Sequence, residues 1–339
     1  MAKSPLSSFP NELLHLVIKH IDFPSRSALA RTCRSLHTIT TPYLYGSAYL
    51  QKGQVDEFVR TISENERYAN FVHDVKVVTN NTHGPTLRGT QTSISPCRIV
   101  PCLDRLPNLQ SLALTGGYWM WDTDDNGSKP NGEKWDTLEK ALWNYLQRAS
   151  LEEPIGSRVS LNLRSLTMDR IEMNGQGAAL NYSYAFVIPQ LHHLTLRGFQ
   201  LFHEDIEVDA EFERTTELKS LRIERSFVSF GALASALRAP RALQYLGISH
   251  AEDYQYHEMH LVDANNKTMQ EFMDTLLLHR ESLEGIKLVH EEIFRNRNGV
   301  NNRPPKVNDV WFLPYAKQLP KLERWEGCDA SSMRLFLGL

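Results

Sequence analysis

LHHLTL at residues 191–196, LKSLRI at 218–223 and LQYLGI at 243–248 are three copies of one pattern, L-x-x-L-x-L. Apolar residues stand at the first, fourth and sixth positions of each copy, which is typical of a short β-strand with one buried face. The pattern also begins at five other positions, the last of them degenerate: Val72, Leu109, Leu163, Leu283 and Leu322. The sequence therefore predicts a series of short strands.

Segments with helical periodicity lie between several of these strands. They cover residues 136–148, 230–237, 268–279 and 308–318. In the third segment Thr268 and Glu271 have the spacing of a capping box, which predicts that the helix begins at Thr268. Strands that alternate with helices over short connections indicate an α/β fold, with a parallel sheet backed by helices.

The spacing of the copies resembles that of leucine-rich repeats. The three shortest intervals are about 25 to 28 residues, close to the period of such repeats. An apolar residue follows ten positions after most first positions, as in that family: Trp119, Met173, Leu201, Val228 and Ile293. The usual asparagine or cysteine two residues earlier is absent. The resemblance implies an irregular leucine-rich-repeat-like solenoid over residues 71–339, with parallel strands backed by helices.

The remaining strand positions predict a binding surface. In solenoids of stacked repeats, the strand residues that do not enter the core line one broad face. Arginine, tyrosine and acidic side chains on such a face suit protein recognition. The predicted target-binding set is Asp169, His193, Arg197, Arg222, Glu224 and Tyr245. The alternative interpretation is an ordinary solvated strand face.

The N-terminal segment predicts a small helical module over residues 1–48. Residues 8–21 form an amphipathic helix that Asp22 and the following Phe23-Pro24 end. A second apolar series over residues 28–39 occupies one or two further helices, until Pro42 stops the run. So short a bundle buries little surface by itself, and we therefore expect an apolar partner to cover part of it.

The order of residues in this module resembles the F-box family. The similarity rests on FPNELL at residues 9–14, IDF at 21–23, LARTCRSL at 29–36 and PYLY at 42–45. It implies a substrate-receptor subunit that joins a Skp-type adaptor and a cullin scaffold to a target protein. The adaptor contacts carried over from the family are Phe9, Pro10, Leu13, Leu14, Ile18 and Ile21. Residues 49–70 are then predicted to be a helical connector.

Composition limits the classes of partner that the chain is expected to bind. The chain has 339 residues, and its 37 basic and 40 acidic side chains give a net charge of -3, so no large basic field is available for nucleic acid. No apolar run is long enough for a membrane span or a signal peptide, which predicts an intracellular protein, cytoplasmic or nuclear. The four cysteines form no CxxC pair, and we expect neither a metal site nor a cofactor.

Motifs for catalysis are weak. His257-Glu258-Met259-His260 is one residue too short for the H-E-x-x-H zinc helix, and no phosphate loop or nucleophile elbow is present. Asp122, Asp124, Asn126 and Glu133 have the spacing of a calcium loop, although a polar insertion explains the same residues. We expect no enzymatic activity. A scaffold that ubiquitinates nothing, or an enzyme or calcium protein with a site near Trp119–Glu133, are the alternatives.

Overall fold

The computed structural model describes residues 9–51, 53–78, 96–115, 132–151, 162–169, 182–201, 206–249, 266–289 and 317–326. The chain divides into two compact units. The first comprises Met1–Gly116 and Glu133–Leu163, and the second comprises Gly117–Gly132 and Arg164–Leu339. The domain boundaries proposed above at residues 48 and 70 remain a prediction.

The first unit begins with three helices and continues with strands and helices in alternation. Its elements are α1 (Asn11–His20), α2 (Phe23–Ala30), α3 (Arg34–Tyr45), β1 (Ser47–Gln51), α4 (Gln54–Glu64), α5 (Glu66–Ala69), β2 (Asp74–Val78), a 3-10 turn (Pro96–Ile99) leading into α6 (Val100–Leu103), β3 (Ser111–Thr115) and α7 (Gly132–Ser150). Strand β2 pairs in parallel with both β1 and β3. Helix α4 contacts β1 and buries Val55, Phe58 and Ile62.

The second unit carries a larger parallel sheet. Its elements are β4 (Ser165–Asp169), α8 (Ser183–Phe186), β5 (His193–Arg197), β6 (Gln200–Leu201), a 3-10 turn (Ala210–Phe212), β7 (Ser220–Glu224), β8 (Phe227–Val228), α9 (Phe230–Arg238), β9 (Tyr245–Ser249), α10 (Asn266–Leu277), β10 (Gly285–Val289) and β11 (Arg324–Glu326). The strands lie in the order β4-β5-β7-β9-β10-β11, and the short strands β6 and β8 pair separately.

All eight predicted strands are confirmed. Each begins at the third residue of its L-x-x-L-x-L copy, as β5 does at His193 after Leu191. The fourth and sixth residues of each fully described copy are buried, for example Leu194 and Leu196, which are 0% and 1% exposed. Alternation therefore fixes which side of each strand joins the core. The α/β solenoid-like arrangement predicted from the sequence is present within each unit.

Three strands were missing from the prediction: β1 and the two-residue strands β6 and β8. Strand β1 begins at Ser47, so residues 49–51 of the expected helical connector are extended. Tyr45, Ala48 and Leu50 occupy the first, fourth and sixth positions of a degenerate copy. Ala48 is only partly buried, because β1 is the outermost strand of its unit and has less core to cover.

Helix boundaries needed two further corrections. Helix α3 continues through Pro42 to Tyr45, since the amide of Gly46 still donates to the Pro42 carbonyl at 2.9 Å and closes the last turn. Helix α10 begins at Asn266, which places Thr268 inside the first turn instead of at the cap. Helices α7 and α9 cover the predicted segments 136–148 and 230–237, whereas residues 308–316 lie outside the described residues.

Candidate protein-interaction surfaces

The N-terminal module has a small core built from one side of α1. Leu14 and Ile18 of α1 are 6% and 1% exposed, and they pack with Leu36 of α3. Leu29, Ile39 and Tyr43 lie partly buried around them. Residues four apart share one side of a helix, so a single stripe of α1 supplies its buried apolar contact with α3.

A second stripe of α1 is exposed among the described residues. Leu13, Leu16 and Val17 share one side of the helix by their i, i+3 and i+4 spacing, and we call them the apolar face of α1. Phe9 precedes this face and Phe23 follows it in sequence. The exposed fractions are 49% for Phe9, 46% for Leu13, 57% for Leu16, 52% for Val17 and 60% for Phe23. Single exposed apolar side chains are common, but a grouped set is typical of an interaction site.

Arg26 fixes the geometry of the module. Its Nε donates to the Ile18 carbonyl at 3.0 Å, and one terminal nitrogen donates to the Lys19 carbonyl at 3.0 Å. These two hydrogen bonds cap the last turn of α1. The other terminal nitrogen donates to the Tyr43 carbonyl of α3 at 3.3 Å. One planar guanidinium thus holds α1 against α3, and it thereby sets the direction of the apolar face of α1.

The turn between α1 and α2 is capped by Asp22. The Ser25 amide donates to its carboxylate at 3.0 Å, and the hydrogen bonds from Ser25 lower the pKa of Asp22. Across the module, His15 Nδ1 lies 3.0 Å from the Tyr43 hydroxyl. These polar contacts leave the apolar face of α1 unobstructed by the neighbouring described helices.

The predicted adaptor contacts fall into two groups. Phe9, Pro10 and Leu13 are exposed, and Ile21 is half-buried at the end of α1. Leu14 and Ile18, in contrast, belong to the core of the module. In the free chain these two side chains are inaccessible, so their part in adaptor binding would be to hold the module together. The spacing of apolar residues alone does not separate the two stripes.

In the second unit, all six residues of the predicted target-binding set lie at the third, fifth or seventh position counted from the first leucine of their copy. These positions face away from the buried leucines, and we call them together the polar sheet face. Register brings three of its residues into one row: Asp169 of β4 lies opposite Arg197 of β5, which lies opposite Glu224 of β7. Arg197 donates to Glu224 at 2.7 Å and to Asp169 at 3.4 Å. This arginine is neutralised by its neighbours.

Tyr245 of β9 and Arg222 of β7 form a second group on the polar sheet face. The centre of the Arg222 guanidinium lies 4.9 Å from the centroid of the Tyr245 ring, a cation-π contact. The ring rests against two glycines: a Cβ built on Gly247 or on Gly285 would lie 3.0 Å from ring atoms. The absence of side chains at these positions lets the tyrosine lie across β9 and β10.

His193 lies in a positively charged environment beside this group. Burial lowers the pKa of His193, and the nearby His192, Arg222 and Lys219 lower it further. The sequence analysis did not predict a role for Gly247, Gly285 or Arg324. The Cβ of Arg324 is 3.6 Å from the position of a Cβ on Gly285. The only signal in the sequence was a glycine at a face position in two adjacent copies.

The loop proposed for calcium lies almost entirely outside the described residues, as does His257–His260; only Gly132 and Glu133 are described, at the start of α7. Within the described ranges, no group of three or more His, Cys, Asp or Glu side chains is arranged to hold a metal ion. Of the helices that the structure describes, not one combines the length and hydrophobicity needed to cross a lipid bilayer.

Comparison with protein families identifies the N-terminal module. The F-box domain family matches residues 6–45, which cover α1, α2 and α3. The chain therefore carries an F-box domain over these residues. F-box domains generally bind Skp-type adaptors. The sequence shows no significant match to curated proteins.

Proposed function

We propose that this chain is the substrate-receptor subunit of an SCF-type cullin-RING ubiquitin ligase. Its F-box would bind a Skp-type adaptor that connects to a cullin scaffold, and its polar sheet face would bind a target protein. The exposed apolar face of α1 is the observation that carries the proposal. In this role the chain contributes no catalytic residue, and it acts by raising the concentration of the target near the ligating enzyme.

The energetics favour a partner on the apolar face of α1. Complete burial of a leucine, valine or phenylalanine side chain is worth about 1.5–3 kcal/mol, so covering a half-exposed one adds roughly 1 kcal/mol. Five such side chains belong to the module. Their gross contribution of roughly 5 kcal/mol is a large part of the free energy of a specific complex.

We select the proposed adaptor contacts by the exposure of their side chains. Phe9, Pro10 and Leu13 stay in the set, with Ile21 at its edge, and Leu16 and Val17 join it. Target contacts remain those of the polar sheet face, namely Asp169, His193, Arg197, Arg222, Glu224 and Tyr245. Of these, Arg222 is well exposed and has no carboxylate partner among the described residues, which makes it the better candidate for an anchor.

Leu13→Asp tests the adaptor interface. The substitution places a charge in the centre of an apolar contact, which costs at least about 2 kcal/mol, so we expect a loss of about thirtyfold or more in adaptor affinity. The measurement is co-purification of a recombinant Skp-type adaptor and cullin with the full chain. Recovery of both supports the proposal, whereas recovery of the adaptor without the cullin would favour a scaffold that ubiquitinates nothing.

Leu278→Asp is the matched control, because Leu278 is 47% exposed and Leu13 is 46% exposed. It introduces the same charge at an equally exposed leucine beyond the end of α10, and adaptor recovery should be unchanged. Equal recovery with Leu13→Asp and with the wild type would contradict the proposal. Leu14→Asp is a poor test, since a charge in the module core would unfold the module itself.

A further inference from the structure

Arg222 and Arg197 lie on adjacent strands of the polar sheet face but differ in their partners. Two guanidinium nitrogens of Arg197 donate to carboxylates, one to Glu224 and one to Asp169. Arg222 stacks on Tyr245 instead, and no carboxylate within the described part of the chain pairs with it. Stacking uses the flat side of a guanidinium and leaves its N–H donors, which lie in the plane, free for an acceptor.

The surroundings of Arg222 add positive charge. Lys219 precedes β7, and its charge acts on His193 together with that of Arg222. The Cβ of Arg324 on β11 lies 3.6 Å from the position of a Cβ on Gly285, the glycine that the Tyr245 ring covers. Both Lys219 and Arg324 are exposed. We call Lys219, Arg222, Tyr245 and Arg324, with the glycines beneath the ring, the Tyr245 cluster.

We propose that the Tyr245 cluster binds an acidic segment of the target protein, with a carboxylate of that segment seated on Arg222. This inference rests on the proposed function, because it names the chemistry of the target. A carboxylate matches the planar pair of donors that a guanidinium presents, and the tyrosine holds that guanidinium in place before binding.

A protein segment fits the cluster better than a nucleic acid does. A polyphosphate chain needs a continuous basic track, whereas the neighbouring row on the same face ends in two carboxylates, Asp169 and Glu224, around a single arginine. Those carboxylates would repel successive phosphates. An extended peptide with a few acidic side chains requires only the local positive charge that the Tyr245 cluster provides.

The test is fluorescence anisotropy with the full chain and a labelled peptide of alternating glutamate and glycine. The same peptide with glutamine in place of glutamate is the neutral probe. We expect the glutamate peptide to bind, more weakly as salt is raised, and the glutamine peptide to bind at least about tenfold less tightly. Absence of binding by the glutamate peptide, or equal binding of both peptides, would overturn the proposal.

Variants localise the effect. Arg222→Gln should weaken binding of the glutamate peptide about tenfold, whereas Arg60→Gln removes an exposed arginine on α4 and should leave it unchanged. Gly285→Ala keeps every charge but places a Cβ 3.0 Å from the Tyr245 ring, so it should also weaken binding by displacing that ring. Equal losses for Arg60→Gln and Arg222→Gln would show a nonspecific charge effect and contradict the assignment.

Two further arms keep this inference separate from the proposed function. Adaptor capture by the Arg222→Gln variant should equal that of the wild type, and Leu13→Asp should bind the glutamate peptide normally. If the adaptor binds and the peptide does not, the acidic-segment proposal alone is wrong. Tighter binding of labelled oligothymidine than of the glutamate peptide would overturn it in favour of a nucleic acid partner, and binding only of a phosphoserine peptide would exclude the carboxylate.

Discussion

Arg26 connects two helices of the F-box through hydrogen bonds to their backbone. Its donors satisfy three backbone carbonyls, two at the end of α1 and one on α3. The carbonyls at a helix end have no partner within the helix, and leaving partly buried ones unpaired is costly. Nothing in the apolar periodicity of α1 identifies Arg26, because its partners are brought close only by the packing of α1 on α3.

Arg26→Ala should loosen the module without changing the apolar face of α1. We expect the free energy of local opening of α1 to fall by about 1–3 kcal/mol, since the three carbonyls lose a charged donor. Native-state hydrogen exchange of the α1 amides measures this directly, because a chain with two compact units need not unfold in one step.

Arg34→Ala provides the control for Arg26. Arg34 is an exposed arginine at the start of α3, and among the described residues its side chain makes no hydrogen bond or ion pair. Exchange rates in α1 should be unaffected by its removal. Arg26→Lys should fall between the two, because one ammonium group does not span three acceptors. Unchanged exchange in Arg26→Ala would contradict the role assigned to this residue.

At the scale of elements, His279 links two neighbouring strand and helix segments of the second unit. It is 1% exposed and lies just beyond α10. Its Nε2 donates to the Leu237 carbonyl of α9 at 2.8 Å, while its Nδ1 accepts from the Leu243 amide at 3.3 Å. The second bond requires an unprotonated Nδ1, so the folded chain holds this imidazole neutral.

The second unit should therefore lose stability in mild acid. Burial lowers the pKa of His279 below its ordinary value of 6.5. As the pH falls below 6.5, the unfolded chain takes up a proton on this histidine and the folded chain does not. The contribution of the neutral His279 to the free energy of unfolding is therefore complete above pH 6.5 and declines below it. We expect the melting temperature to fall by a few degrees between neutral and mildly acidic pH, since about 1 kcal/mol shifts it by roughly 2–4 °C.

The comparison that isolates His279 is His279→Gln. This variant should melt at a lower temperature than the wild type at neutral pH, because it loses the two hydrogen bonds of the imidazole to Leu237 and Leu243. Its melting temperature should change less with pH. Thermal denaturation followed by circular dichroism at several pH values measures both. A pH dependence identical to that of the wild type would mean that other groups, such as His193, account for the acid sensitivity.

The sequence predicts strands better than helix ends for a physical reason. A buried leucine or valine two residues before each predicted strand, with alternation inside the strand, is enough to place β5 at His193 or β10 at Gly285. The edge strand β1 lacks this signal because Ala48 replaces the leucine where little core exists. The end of α3 depends on a hydrogen bond to the Pro42 carbonyl that the proline rule does not anticipate.

The candidate surfaces were only partly predictable. Alternation places Asp169, Arg197 and Glu224 on one face, and register makes them neighbours. In α1 the apolar spacing gives the right helix, but it does not show that Leu14 enters the core while Leu13 stays exposed, because that choice depends on where α3 packs. The platform under Tyr245 consists of Gly247 and Gly285, and their face positions in adjacent copies do not by themselves show that a ring lies over them.

For the whole molecule, the central feature is that the chain carries two exposed surfaces of different chemistry, the apolar face of α1 and the polar sheet face. Under the proposed function, the exposed apolar surface of the F-box and the polar face of the parallel sheet would bind separate proteins. Burial on the first would be driven by apolar area, and binding on the second by charge. The two interactions should therefore differ in their response to temperature and salt.

Calorimetric titration of the full chain with a purified Skp-type adaptor at several temperatures tests the central claim most directly. Burial of the apolar face of α1 predicts binding with a negative heat-capacity change, little dependence on salt, and loss of most of the affinity in Leu16→Asp. No heat of binding at any temperature, or a Leu16→Asp variant that binds as tightly as the wild type, would contradict it.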